Sequence, residues 1–470
     1  MLNYFTSAAD KWRQYRKKRS YYWDSITRYI EYYIHPSASV LEIGCATGEL
    51  IGQIQAKRRI GIDFCSELIL QAKTAFPDVE FHVMEAENIN LNNETFDVVI
   101  LSNLTGFLDD VQHVFEQLHK VCNGHTRIIV TSYNRLWEPL IRFAEFIRIK
   151  RKTPQQNWLS VHDMQNLLYL AGFETYRTNS STLIPFNIPL ISYLFNRFIS
   201  HLPGFNILSL NRYFFAREIP KTSVEENPDN KFSVTVLIPA RNESGNIRSA
   251  VERIPEMGSH TQIIFVEGNS SDNTWETILQ TQKEYEGIRD ILAVQQTGKG
   301  KGDAVRCGYA QATGDILMIL DADLTVRPED LPKFYKAISE GKGEFINGVR
   351  LVYPMEENAM RTLNTIGNHF FSLLFSWILE THIKDTLCGT KVMFRRDWLL
   401  LTEGRKFFGD FDPFGDFDML FGAHKLNLKI VDLPIRYQER KYGTTNISRF
   451  SHGWLLLKMS GFAATKIRFR

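Results

Sequence analysis

Asp321 and Asp323 stand one residue apart directly after the apolar run ILMIL, within DILMILDADLTVRPEDL. Buried without compensation, two such carboxylates would carry a large desolvation cost. The neighbouring sequence offers no evident counter-charge, so a cation is their expected partner. Hard oxygen ligands suit Mg2+ or Mn2+, ions usually held by one or two carboxylates together with phosphate oxygens and water. An acidic loop or a helix cap ahead of Pro328 would explain Asp-Ala-Asp alone, but two further strand ends carry polar residues. VTVLIPARNESGNI ends in Arg241, Asn242 and Glu243, and IIFVEGNSSDNT in Glu267, Asn269 and Ser270. Ligands of open parallel sheets bind beyond the carboxyl ends of the strands, so these ends belong to one pocket, and its ion would neutralise a diphosphate.

A second constellation lies upstream. LEIGCATGEL places Glu42, Gly44, Cys45, Ala46 and Gly48 between an apolar strand and a helix-compatible run. Glycines there allow a sharp turn and close backbone approach to a ligand, and the start of the helix presents free amides. Asp63 ends the next strand, RRIGID, where its carboxylate can accept hydrogen bonds from two ribose hydroxyls. A nicotinamide dinucleotide is disfavoured, because Ala46 and Glu49 hold the second and third glycine positions of G-x-G-x-x-G. A tight strand-to-helix turn would account for Gly44 and Gly48 but not for Asp63.

These residues need sheets to position them. Short apolar runs (VLEI, RRIGI, VEFHV, FDVVIL, TRIIVTS) alternate with helix-like stretches such as 66–76 and 111–121, and a second series of the same kind begins at Phe232. This alternation predicts two doubly wound α/β domains of mostly parallel strands. The segment REIPKTSVEENPDNKF is charged, carries two prolines and lacks apolar periodicity, so residues 217–231 are expected to link domains over 1–216 and 232–470. A chain of 470 residues with 44% hydrophobic content can fill two cores. Its formal net charge of +2 gives no reason to expect a nucleic-acid partner. Five scattered cysteines without a Cys-x-x-Cys pair, and a first stretch lacking a signal-peptide pattern, point to a reducing, cytoplasmic setting.

The upstream constellation resembles class I S-adenosylmethionine-dependent methyltransferases, whose first motif reads E/D-x-G-x-G-x-G; here Ala46 replaces one glycine. The likeness covers about residues 20–180. It implies a Rossmann-like domain in which Glu42, Gly44, Cys45 and Gly48 line the methionine portion of the cofactor and Asp63 its ribose. Glu85 and Ala86 would flank the adenine, with Glu85 where aspartate is commoner, and Asn103 would sit by the methionine end. The methyl acceptor is not legible. A base is not required if that acceptor is already nucleophilic; His113 and His162 are candidates if one is needed.

The downstream constellation resembles family 2 glycosyltransferases, especially the polyprenyl-phosphate sugar synthases such as dolichol-phosphate mannosyltransferase, over about residues 232–450. It implies a GT-A domain. The donor would be a nucleotide sugar bound by Pro239, Asn242, Glu243 and Glu267, with Asp321 and Asp323 holding the metal and diphosphate. Asp418, with Asp416 as second choice, matches the late acidic residue, and Arg440 the arginine that meets phosphate. The family's V-D-D-G-S reads Val266, Glu267, Gly268, Asn269, Ser270 here, which leaves the base undetermined. A sugar-hydroxyl acceptor would need Asp418 as base; a lipid phosphate is already ionised and would not.

The resemblances together imply a bifunctional enzyme acting on a polyprenyl-phosphate, glycolipid or polysaccharide acceptor. The alternatives are a glycosyltransferase whose first half only binds the cofactor or organises partners, and a non-catalytic scaffold. Residues 366–379 and the tail from Trp454, with its Lys458, Lys466, Arg468 and Arg470, suit either a peripheral contact with an anionic membrane or simple packing. The proline-bearing stretch LIPFNIPLISYLFNRFISHLPGFNIL suits an acceptor lid or an interfacial patch.

Overall fold

The computed structural model describes residues 4–6, 9, 12, 16, 19–147, 153–154, 156–220, 232–353, 362–404, 415–440, 442 and 449–469, with the backbone alone for 362–366, 416 and 449–452. The chain divides into two compact units, 1–219 with 469–470, and 220–468. Each is built on a seven-stranded mixed sheet, the two α/β domains expected.

In the first unit the strands are β1 (Ser39–Ile43), β2 (Arg58–Asp63), β3 (Glu80–Val83), β4 (Val98–Ser102), β5 (Arg127–Tyr133), β6 (Phe173–Ser181) and β7 (Asn211–Glu218). Their order is β3-β2-β1-β4-β5-β7-β6, and β7 runs antiparallel to both of its neighbours. Strands buried on both faces read as unbroken apolar runs, and VVILS of β4 is wholly buried. Alternate side chains feed two cores. Leu41, Ile43, Val99, Leu101, Ile128 and Val130 pack with Phe115 and Leu168, while Val40, Val98, Ile100 and Ile129 pack with Tyr29, Ile30 and Ile51. The winding direction reverses between β1 and β4, which opens a crevice at their carboxyl ends.

The second unit repeats the plan with β8 (Val234–Ala240), β9 (Thr261–Glu267), β10 (Asp290–Gln295), β11 (Ile316–Ile319), β12 (Phe345–Val349), β13 (Lys391–Phe394) and β14 (Ile430–Pro434). The order is β10-β9-β8-β11-β13-β12-β14, with β13 antiparallel to β11 and β12. Its switch point lies between β8 and β11. Pro239 sits inside β8, where a missing N–H would normally weaken a sheet. It is tolerated because the β11 ladder reaches only to Leu237, so nothing on that side requires the donor.

The first unit extends past the expected boundary. β7 reaches Glu218, and Ile219 donates its N–H to the Gly172 carbonyl at 2.9 Å. Linker residues 221–231 fall outside the described residues. The helix Thr362–Leu379 buries Phe371, Phe375, Ile378 and Leu379 and exposes Phe370 and Leu373. The tail helix Arg449–Ala463 buries Leu456, Met459 and Ala463, so packing takes one face of each; Trp454 and Leu457 remain exposed. Among the described residues no helix is long and apolar enough to cross a membrane.

Candidate active sites

The turn after β1 is shaped by left-handed backbone. Gly44, Ala46 and Gly48 have φ of +73°, +50° and +76°. A Cβ on Gly44 would lie 2.7 Å from Leu104 Cδ1, so a larger residue would have to displace that leucine as well as take the left-handed conformation. Ala46 adopts a conformation costing a non-glycine residue on the order of 1 kcal/mol, which explains why glycine stands at this place in the motif it resembles. Two acids brace the turn. Glu42 accepts the Ile51 N–H at 3.0 Å, and Asp63 accepts those of Ala46 at 2.9 Å and Cys65 at 3.0 Å. Burial pushes Glu42 up to about 8, against the pull of Arg16 and of the Ile51 amide. Burial also raises Asp63, against its two amides and Arg16.

A cavity of about 1180 Å³ opens beside this turn. Gly44, Ala46, Asp63, Glu85, Ala86 and Asn103 all line it, so most of the residues expected at a cofactor site do converge. Glu42, Cys45 and Gly48 are not in the wall. Cys45 turns a fully buried thiol into the core, and burial raises its pKa well above the ordinary thiol range. Neither His113 nor His162 lines the cavity. Asn103, at φ +53°, has a buried side-chain amide with no hydrogen bond of ordinary geometry among the described residues.

Several lining residues were not foreseen. Tyr22 donates to Asn211 Oδ1 at 2.6 Å, and burial keeps its phenol protonated. Arg16 pairs with Glu49 at 2.9 Å and lies over the Trp23 ring. The cavity wall also has an apolar part, an extension beyond the expected cofactor residues, to which Tyr133, Trp137, Ile141, Ala144, Leu183, Ile184 and Pro185 contribute.

In the second unit, Asp321 and Asp323 follow β11 as expected, and each already has a cationic partner. Lys301 Nζ lies 2.7 Å from Asp321 Oδ1, and Arg440 Nη2 donates to Asp323 Oδ2 at 2.6 Å. The expectation that the pair lacks a counter-charge is therefore corrected. The compensating side chains come from residues 20 and 117 positions away, brought in by the fold. Burial would raise Asp321, but Lys301, then Arg350 and Lys391, outweigh it and hold the carboxyl low.

Arg440 also donates to Glu243 Oε1 at 3.2 Å, so one guanidinium ties the end of β8 to the Asp-Ala-Asp turn. A bridge between Val326 and Tyr437, and a bond from Gln438 N–H to the Thr325 carbonyl at 2.9 Å, place it there. The ends of β8 and β9 are stitched together. Asn242 and Asn269 take left-handed φ of +57° and +56°, Asn242 N–H donates to Ser270 Oγ at 3.0 Å, and the Ser270 N–H reaches Glu267 Oε1 at 2.5 Å. Asp272 supports the same corner through the amides of Thr274 at 3.1 Å and Ser244 at 3.4 Å. Behind Asp321, Arg350 grips the fully buried Asp385 through two bonds of 2.7 and 2.9 Å.

Glycine lets these pieces approach. A Cβ on Gly389 would collide with both Asp321 and Lys301, and one on Gly415 would lie 2.7 Å from Gly302 Cα. The second contact sets the start of the helix Asp416–Lys425 against the Lys301 segment. Asp418 is half-buried on the first turn of that helix; the Asp416 side chain lies outside the described residues. Among the described residues, no three His, Cys, Asp or Glu side chains form a metal cluster.

With this geometry in place, two family models match the chain: a methyltransferase domain over residues 15–178 and glycosyl transferase family 2 over 235–400. The chain joins a methyltransferase domain to a family 2 glycosyltransferase domain. The glycosyltransferase domain is similar to the "Probable glycosyltransferase YdaM" of Bacillus subtilis, 30% identical over 174 residues, which are 35% of this chain and 39% of that one. It is 34% identical over 111 residues to the dolichol-phosphate mannosyltransferase of Pyrococcus furiosus, covering 23% of this chain and 30% of the relative. It is 29% identical over 254 residues to the dolichyl-phosphate beta-glucosyltransferase of Saccharomyces cerevisiae, covering 48% and 72%. The chain thus spans well under half the length of the first two relatives.

Proposed function

We propose that the methyltransferase domain transfers the methyl group of S-adenosylmethionine, and that the glycosyltransferase domain transfers a sugar from a nucleotide-sugar donor to a lipid-phosphate acceptor. The observation that carries the second activity is the Lys301–Asp321 and Arg440–Asp323–Glu243 network at the switch point. It supplies two positive charges and three hard carboxylates where a nucleoside diphosphate would rest. Asp321 and Asp323 fit Mg2+ or Mn2+, since such ions need only one or two carboxylates beside phosphate oxygens and water. The bound ion would supply neutralisation of the departing diphosphate.

In the transfer, an acceptor oxygen attacks the anomeric carbon, and the bond from that carbon to the diphosphate oxygen breaks with its electron pair on the diphosphate. Lys301 and Arg440 can turn from their carboxylates onto that charge. Pro239, Asn242, Glu243 and Glu267 would contact the nucleoside. The relatives named for dolichol phosphate support a lipid-phosphate acceptor, which arrives ionised; Asp418 then orients groups and removes no proton. In the first domain, Asp63 would hold the ribose, Glu85 and Ala86 the adenine, and Asn103 the methionine end. Glu42, Cys45 and Gly48 act from behind by shaping the turn.

The test is to incubate the chain with Mn2+, a polyprenyl phosphate and a panel of nucleotide sugars, and to follow glycolipid formation by mass spectrometry. One donor should give product and Asp323→Asn should give none. Transfer undiminished in Asp323→Asn with excess chelator would refute the assignment.

A further inference from the structure

The apolar extension of the first cavity leads to an unusual surface. On the helix Glu138–Phe146, Leu140, Phe143 and Phe146 recur at helical spacing, and Phe143 and Phe146 are 58% and 83% exposed. The stretch from Phe186 to Leu208 adds Phe186, Leu190, Tyr193, Phe195, Phe205 and Leu208, with Leu190 at 70%. Scattered exposed apolar residues need no explanation, but a run of this length on two adjoining elements does. The cavity reaches the surface here, because Leu140, Phe186 and Ile188 both line it and are exposed. Charge accompanies the patch. Arg135 and Arg142 are largely exposed, although Arg142 pairs with Glu138 at 2.6 Å and Arg135 lies 4.0 Å from Asp163, and the sequence immediately after the helix reads Arg148, Lys150, Arg151, Lys152.

We propose that this face of the methyltransferase domain lies on an anionic bilayer, and that the apolar extension receives the hydrocarbon chain of a membrane-resident methyl acceptor. The inference rests on the proposed S-adenosylmethionine site and names its acceptor class. An apolar face that carries exposed arginines and leads into a basic stretch of sequence is what a bilayer with acidic headgroups binds, through buried area plus electrostatic attraction. The extension gives the acceptor's chain somewhere to go while its polar head meets the cofactor end near Asn103.

Sedimentation of the full chain with phosphatidylcholine vesicles, with and without phosphatidylglycerol, tests this. Binding should require phosphatidylglycerol and weaken as salt screens the headgroups. The pairs Phe143→Asp/Phe146→Asp and Leu190→Asp/Leu194→Asp, none of them cavity-lining, should each lower vesicle partitioning roughly tenfold or more. Both should leave S-adenosylmethionine affinity by calorimetry unchanged. Vesicle binding unaffected by both pairs, or no vesicle binding by a chain that binds the cofactor, would overturn the inference while leaving the cofactor site standing. Self-association dispersed by the same substitutions, without vesicle binding, would overturn it too and make the patch a contact between copies. Failure to bind S-adenosylmethionine would instead remove the reading on which it rests.

Discussion

Glu42→Gln isolates the effect of burying an acid behind the β1 turn. The side chain is 1% exposed, and its carboxyl is pushed from 4.5 up to about 8. Between those values the folded chain holds a proton that the unfolded chain has released, so stability falls as pH rises through this window. The contribution is complete below about 4.5 and gone above about 8. From about pH 6 to about pH 9 the wild type should lose two pH units' worth of linkage at roughly 1.4 kcal/mol each, close to 2.7 kcal/mol from this one site. Glutamine keeps a carbonyl to accept the Ile51 N–H and has no proton to lose, so the variant should lack this slope. The assay is urea unfolding at several pH values, read on the transition that S-adenosylmethionine shifts upward. Wild-type and Glu42→Gln stabilities falling in parallel from pH 6 to 9 would show that Glu42 is not held protonated by burial.

Three other substitutions probe the sites. Asp63→Asn should weaken S-adenosylmethionine binding by about 1 to 3 kcal/mol in calorimetry, a gentler change than alanine because Asp63 also anchors the Ala46 and Cys65 amides. Ala46→Gly should relieve the left-handed strain and raise the stability of the first domain by up to about 1 kcal/mol, measured by denaturant midpoint, without weakening the cofactor. Gly389→Ala should drive a methyl group into the Asp321–Lys301 pair and lower nucleoside-diphosphate affinity by roughly tenfold or more, whereas unchanged affinity would place the diphosphate elsewhere.

The strand ends were legible because burial on both faces leaves long apolar runs, so a polar residue directly after one is conspicuous. Asp63, Asp321, Asp323 and Glu243 stand out in this way, and both doubly wound sheets follow from the same pattern. What lay hidden depends on distance along the chain. Lys301 sits in a glycine-rich stretch 20 residues before Asp321, and Arg440 pairs with Asp323 because the Tyr437 segment bridges to Val326. The one available signal was a lysine among glycines where backbone must approach closely, as Gly302 and Gly415 do. Asp272 was overlooked because it follows a serine-rich turn rather than an apolar run. The apolar extension joins residues near 140 to residues near 185, and neither stretch alone distinguishes a cavity wall from a buried core. Cys45 sat in the motif, but the alternation along the turn sends its thiol inward.

The most direct test of two sites on one chain is a sequential calorimetric titration of a single sample. S-adenosylmethionine is titrated to saturation first, and then uridine or guanosine diphosphate with Mn2+. One equivalent of each should bind, with the second affinity unchanged by the first. Competition between the two ligands, or a folded chain that binds S-adenosylmethionine but no nucleoside diphosphate of any base, would contradict it.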